Sequence, residues 1–169
     1  MKKKYHVPLV KQFSQTECGL CCCLMILKYY KSRETFKQLQ DDVDVGRDGL
    51  SIRKMKDILT SRDMEAFVYK VKTVEGLKTI KKPFIAYWQE KHFIVVEKIK
   101  KNKYYVKDPA EGDLIIPEDK FVESFSGYVL VASPTSNYVV KKTKSQNPWL
   151  DSFQSLIKYK RLVAEILIF

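Results

Sequence analysis

An α+β fold is what this 169-residue sequence predicts, and three observations carry the prediction. Helical signals occupy the first third of the chain and strand signals the stretch that follows. The strands are joined by connections too short for parallel crossovers, which makes the sheet antiparallel. No internal repeat is present. A chain of this length buries a real core as one domain with room for a tail. Apolar residues make up 45% and charged residues 30%, a composition that excludes a disordered chain.

Residues 5–17 read as an extended lead-in with turn chemistry at Ser14 and Thr16. From Cys18 to Tyr30 the chain is apolar on nearly every face, which predicts a buried central helix. Thr35 caps a short helix reaching Asp42. Gly46-Arg47-Asp48-Gly49 is a turn, and Ser51 caps a helix whose apolar stripe is Ile52, Met55 and Leu59. After Asp63 come β-rich runs at 66–69, 84–88, 93–96, 104–106, 114–116 and 128–131. Short helices are expected at 74–80 and, behind Pro117, at 118–125.

The domain is expected to span 1–136, followed by a polar linker at 137–147. An amphipathic helix then begins at Pro148, with Trp149, Leu150, Phe153, Leu156 and Ile157 on one face. The closing run, Leu162–Phe169, is too short to cross a bilayer, yet it reads as the start of a span. Met1-Lys2-Lys3-Lys4 is basic but leads into no apolar stretch, so no signal peptide is expected.

Lysine and arginine exceed aspartate and glutamate by 31 to 20, a net charge of +11 that favours acidic partners. The lysines are scattered rather than clustered and no phosphate-binding loop is present, so nucleic acid is not the expected partner. All four cysteines lie at 18, 21, 22 and 23. A disulfide framework needs them spread along the chain, so reduced thiols and a cytoplasmic compartment are expected.

Cysteine is the candidate nucleophile, and only His6 and His92 can serve as base. Cys18 sits at the mouth of the buried helix, where the partial positive charge favours thiolate. His92 opens one strand and Asp108 closes the next. Thiolate, imidazole and orienting carboxylate are the set that thiol acyl transfer uses. Gln12 and Gln15 lie upstream, where a side-chain amide can donate to an oxyanion. Taken singly, a buried cysteine is more often a small apolar residue, His92 an ordinary strand histidine and Asp108 a turn residue before Pro109. Cys21, Cys22 and Cys23 keep that plain reading. Cys18-Gly19-Leu20-Cys21 also raises a thiol–disulfide oxidoreductase, with Pro83 before a strand, but no strand precedes Cys18. A zinc site would need a second ligand pair, and a non-enzymatic basic binding domain is the remaining alternative.

The stretch Gln12-Phe13-Ser14-Gln15-Thr16-Glu17-Cys18-Gly19-Leu20 resembles the C39 family of cysteine peptidases, the peptidase domains of bacteriocin and lantibiotic ABC transporters. Met25 and Ile26 fit the same pattern. So do Gly46-Arg47-Asp48-Gly49-Leu50-Ser51, His92-Phe93-Ile94-Val95-Val96 and Asp108-Pro109, in order over about residues 7–133. Glu17 departs from the commoner Asp, Cys21 from the usual Ala, and Cys23 adds a thiol. The resemblance implies a papain-like fold, with Cys18 as nucleophile, His92 as base, Asp108 as orienting acid and Gln12 as oxyanion donor. It implies a substrate as well: a precursor peptide whose amphipathic leader helix is removed after a double-glycine motif. No cofactor is implied for this domain; ATP would bind elsewhere in a longer transporter. Such a parent would be a homodimer with this domain at the cytoplasmic face of the membrane, and residues 148–169 would lead into it.

One expectation concerns register. With a three-residue loop, Lys100-Lys101-Asn102, Ile99 pairs with Lys103 and Asp108 opposes Ile94, on the face of His92. With a two-residue loop Asp108 opposes Val95, and the pair fails.

Overall fold

The computed structural model describes residues 6–43 and 45–140. The expected linker beyond Val140, the amphipathic helix and the apolar closing run lie outside the described residues. Five α-helices and six strands follow a single 3-10 turn at Gln15–Glu17: α1 Cys18–Tyr29, α2 Phe36–Asp41, α3 Ile52–Thr60, β1 Met64–Lys70, α4 Val74–Thr79, β2 Phe84–Trp88, β3 His92–Lys100, β4 Lys103–Asp108, β5 Gly112–Pro117, α5 Glu118–Ser124 and β6 Phe125–Pro134. The α+β expectation holds, and every paired strand is antiparallel. The spatial order is β1-β6-β2-β3-β4-β5, so β3 lies inside the sheet and β1 and β5 form its edges.

The caps fall where the side chains predict. Thr35 Oγ1 accepts the Gln38 N–H at 3.3 Å and Ser51 Oγ the Lys54 N–H at 3.2 Å, each satisfying an orphan donor of the first turn. α1 is buried from Cys18 to Leu27, which a helix does only when packed on several sides. It lies against β3 on one side and α2 and α3 on the others.

Alternation along the strands divides the interior into two cores. Ile85, Phe93, Val95 and Leu130 face the core built on α1 and α3. Phe84, Ile94, Val96 and Val129 face the opposite core, closed by Leu77 of α4 and Phe121 of α5. There Phe121 stacks on Tyr104 with ring centroids 3.9 Å apart.

Past β6 the chain folds back. Thr135 donates its N–H (3.0 Å) and hydroxyl (2.8 Å) to the Asp63 carbonyl. Tyr138, two residues beyond the expected domain boundary, packs against the first core.

The β3–β4 hairpin corrects the expected loop. Lys100 pairs with Lys103, so the turn has two residues, Lys101 and Asn102, both left-handed at φ 50° and 55°. That turn alone would set Asp108 against Val95. A bulge intervenes: Val96 pairs with Val106 and Lys98 with Tyr105, which leaves Glu97 as an extra residue on β3. Val95 therefore pairs with Lys107, and the continued register sets Asp108 across from Ile94. The expected alignment is reached by a bulge instead of a longer loop.

Candidate active site

Three elements converge at one end of the sheet. Helix α1 presents Cys18 as its first residue. β3 presents His92 as its first residue, and β4 presents Asp108 as its last. His92 Nε2 lies 2.8 Å from Asp108 Oδ1. This leaves the other ring nitrogen for Cys18, whose thiol helps to raise the imidazole pKa. The helix and sheet are tied here by a further contact: the Cys22 thiol donates to the Phe93 carbonyl at 3.3 Å.

The electrostatics favour a charged pair. Burial alone would depress the His92 pKa, but the Asp108 and Cys18 hydrogen bonds and their charges outweigh it, lifting it from 6.5 to about 9. Burial would raise the Asp108 carboxyl, yet hydrogen bonds from His92 and the Ala110 and Glu111 N–H groups hold it below its usual range. Those two amides, at 2.8 and 3.3 Å, also close the turn after β4 and fix the carboxylate's orientation. An imidazolium between carboxylate and thiol is the resting state this arrangement supports.

The remaining thiols are held in the protonated form. Burial pushes Cys21 up to about 12, and Cys22 and Cys23 are raised as well, burial again being the largest cause. All four cysteines are free. A thiol as protonated as Cys21 is a poor partner for redox exchange, which argues against the oxidoreductase reading.

Gln12 reaches the site through its backbone. Its N–H donates to the Pro109 carbonyl at 3.0 Å, beside Asp108. Its side-chain Oε1 is buried without a hydrogen-bond partner. Between Gln12 and Cys18 the chain bends through the 3-10 turn. Glu17, which departs from the family's commoner Asp, accepts the Phe13 and Ser14 N–H groups at 2.8 and 3.1 Å. Its spacing from Ser14 is that of a capping box, the local signal that marks this bracing role.

Two glycines of the resembling motifs have steric reasons. A Cβ at Gly19 would sit 3.1 Å from Leu50 Cβ and 3.1 Å from Met55 Sδ, so a larger residue would push α1 off its neighbours. Gly49 has φ +80°, and a Cβ there would meet the Thr16 carbonyl oxygen at 3.1 Å. The Gly46–Ser51 turn thus packs directly on the segment that delivers Cys18. Between this turn and the β2–β3 hairpin lies a cleft of about 600 Å³, lined in part by Leu50, Ile52, Tyr87, Phe93 and Tyr128. The hairpin turn that precedes His92 holds Gln89 and Glu90 left-handed, at φ 47° and 57°. Ser124 O and Ser126 Oγ accept their N–H groups at 2.8 and 2.7 Å, and the Tyr87 hydroxyl donates to the Glu90 carbonyl.

Among the described residues no group of histidine, cysteine and acidic side chains is placed to hold a metal ion, and no helix is long and apolar enough to cross a membrane. His6, the other histidine, lies away from this centre, against Glu97.

Residues 6–137 match the family model described as the Peptidase C39 family. The chain is 31% identical, over 82% of its length, to the lacticin-481/lactococcin-DR transport/processing ATP-binding protein lcnDR3 of Lactococcus lactis, of which it covers 20%. It is 26% identical, over 95% of its length, to the colicin V secretion/processing ATP-binding protein CvaB of Escherichia coli, of which it covers 23%. The chain thus spans about a fifth of the length of these curated relatives. Among solved structures it is similar to a double glycine motif protease from an AMS/PCAT transporter, in complex with the leader peptide. Identity there is 33% and the TM-score 0.73, covering 80% of this chain and 96% of that one. The peptidase domain of Streptococcus ComA, at 18% identity and a TM-score of 0.70 over 77% of this chain and all of that one, shares the fold.

Proposed function

Because the chain belongs to the peptidase C39 family and is a cysteine peptidase, we propose that it removes the leader from a bacteriocin- or lantibiotic-type precursor, cutting after a double-glycine motif. The observation that carries the reading is the Asp108–His92–Cys18 line at the N-terminus of α1.

Cys18 is the nucleophile in this proposal. His92, as imidazolium, stabilises the thiolate and then gives its proton to the leaving amine. Asp108 holds the ring and its charge. The acyl-enzyme forms as the peptide C–N bond breaks, and water, deprotonated by His92, releases the leader acid. Gln12 donates its side-chain amide to the oxyanion. The Gln12 N–H on the Pro109 carbonyl, which sets the residue beside Asp108, supports that role.

The cleft between the Gly46–Ser51 turn and the β2–β3 hairpin, lined by Leu50, Ile52, Tyr87 and Phe93, suits the apolar anchors of a peptide. An amphipathic leader helix supplies such anchors, and the basic surface would steer an acidic one. The names of the relatives support a longer parent that also exports the product. In that parent we place the domain at the cytoplasmic face of a membrane, in a homodimer, with ATP bound outside this chain and residues 148–169 leading toward the bilayer. Nucleic acid is no partner in this reading.

The test is to incubate the chain with a precursor peptide bearing a double-glycine leader and to identify the cleaved bond by mass. Cleavage directly after the second glycine is expected. Intact peptide, or cleavage elsewhere, would overturn the substrate assignment.

A further inference from the structure

We propose that Glu97 is a positioning residue for the oxyanion amide: its carboxylate anchors the lead-in segment that carries Gln12 to the catalytic centre. The proposal rests on the role given to Gln12 above and extends it to a residue that never meets the substrate.

Glu97 is the extra residue of the β3 bulge, and its charged side chain is only 7% exposed. The bulge leaves Glu97 without a β4 partner, on the side of Val95, where Val7 of the lead-in packs in the same core. His6 Nδ1 lies 3.0 Å from Glu97 Oε1, and the Val7 N–H donates to Oε2 at 3.3 Å. Lys98 Nζ sits 3.2 Å from Oε1 and Lys107 Nζ 3.9 Å from Oε2. Burial would raise this carboxyl, but hydrogen bonds and charge from Lys98 and His6 hold it below its usual range, so it stays ionised.

The lead-in is tied at two ends. One tether is the pair of bonds from His6 and Val7 to Glu97. The other is the Gln12 N–H on the Pro109 carbonyl at 3.0 Å. Between them the Val7 side chain is buried in the first core, and Leu9 lies beside Gly112 at the start of β5. The segment therefore runs from the β3 bulge to the β4–β5 turn that orients Asp108. An amide donor stabilises an oxyanion only at hydrogen-bond distance from it, and a misplacement of about 1 Å costs up to about 10²-fold in rate. Releasing the first tether lets the segment shift and takes the Gln12 amide with it.

The experiment is a double-mutant cycle between Glu97→Gln and Gln12→Ala, read as kcat and KM on a double-glycine precursor. Glu97→Gln keeps the size of the side chain and removes its charge. It is expected to lower kcat about 10-fold with KM within about twofold, and to have little further effect when Gln12 is already Ala. Hydrogen exchange at the Gln12 amide should quicken while the β3 and β4 amides stay protected. An unchanged kcat in Glu97→Gln, or an equal loss with and without Gln12, would overturn the proposal. An unchanged kcat in Gln12→Ala would instead sink the oxyanion assignment. Should Glu97→Gln fail to fold, His6→Ala removes one tether at an exposed side chain. It should lower kcat about threefold in the same non-additive way, and an additive or null result there overturns the proposal equally.

Discussion

Removing the Asp108 carboxylate should move the alkaline limit of activity, because that carboxylate is a main reason the His92 imidazolium persists. The imidazole is raised from 6.5 to about 9 against the burial that opposes it, roughly 3 kcal/mol of preference for the charged form. A raised histidine stabilises the folded state fully below about pH 6.5 and loses that contribution as pH rises through about 9. The lowered Asp108 carboxyl works the other way: its contribution is present above its ordinary range and is lost as pH falls through its depressed value. The pair is therefore intact across neutral pH. In Asp108→Ala the hydrogen bond and the charge both vanish, and the His92 pKa falls toward 6.5. At pH 8 the imidazolium fraction would drop from about nine-tenths to about one-thirtieth, a loss of roughly 30-fold before any loss of ring orientation. At pH 6 the charge-state loss would be within about twofold. The assay is the pH profile of kcat/KM, paired with the pH profile of Cys18 alkylation by iodoacetamide, which needs no substrate. Asp108→Asn, which keeps a hydrogen-bonding side chain without the charge, should fall between. An alkaline limb at the same pH in wild type and Asp108→Ala would refute the reasoning.

Cys18→Ala should abolish cleavage, whereas Cys21→Ala should keep most of it; equal losses would point to the Cys-x-x-Cys pair and redox chemistry instead. Cys22→Ala should stay active yet lose about 1–2 kcal/mol in a denaturant titration, since its thiol fills the core and donates to the Phe93 carbonyl. Gln12→Ala should lower kcat on the order of 10²–10³-fold with a small change in KM, as removal of an oxyanion donor does; a pure KM effect would assign Gln12 to substrate binding. A chain ending at Val140 should match the full chain in melting temperature and activity. One ending at Pro134 should melt lower, because Tyr138 and the Thr135–Asp63 bonds are lost, and equal melting would show that this return segment adds nothing.

Much of the fold was legible because its signals are local. The caps at Thr35 and Ser51, the unbroken apolar run of α1 and the β-branched and aromatic runs are all set within a few residues of sequence. The nucleophile candidate was legible for the same reason: Cys18 alone among the cysteines stands where polar residues give way to the helix. The hairpin loop was misread because parity, not composition, governs it. Loop length and bulges trade against each other, and Asn102 suits a two-residue left-handed turn as well as a three-residue one. Glu97 carries no mark in its own neighbourhood. Its one trace is that a two-residue loop would put Asp108 on the wrong face, so an extra residue must sit somewhere between it and His92. The bracing by Glu17 is local, within the Ser14-x-x-Glu17 spacing of a capping box, whereas the tether at His6 depends on a partner 91 positions away that only folding brings near.

Strand β3 has no face to spare. Phe93 and Val95 fill one core, Ile94 and Val96 the other, and His92 and Glu97 are engaged at either end of that run. A strand so committed cannot drift in sequence without loosening both halves of the interior and the imidazole with them. If descendants of this chain are to accept new peptides, the changes have to accumulate at the rim of the cleft instead, at positions such as Asp48, Lys91 and Tyr128 that border it from turns and from β6. The architecture thus separates an inheritance that must be copied from a vocabulary that is free to change.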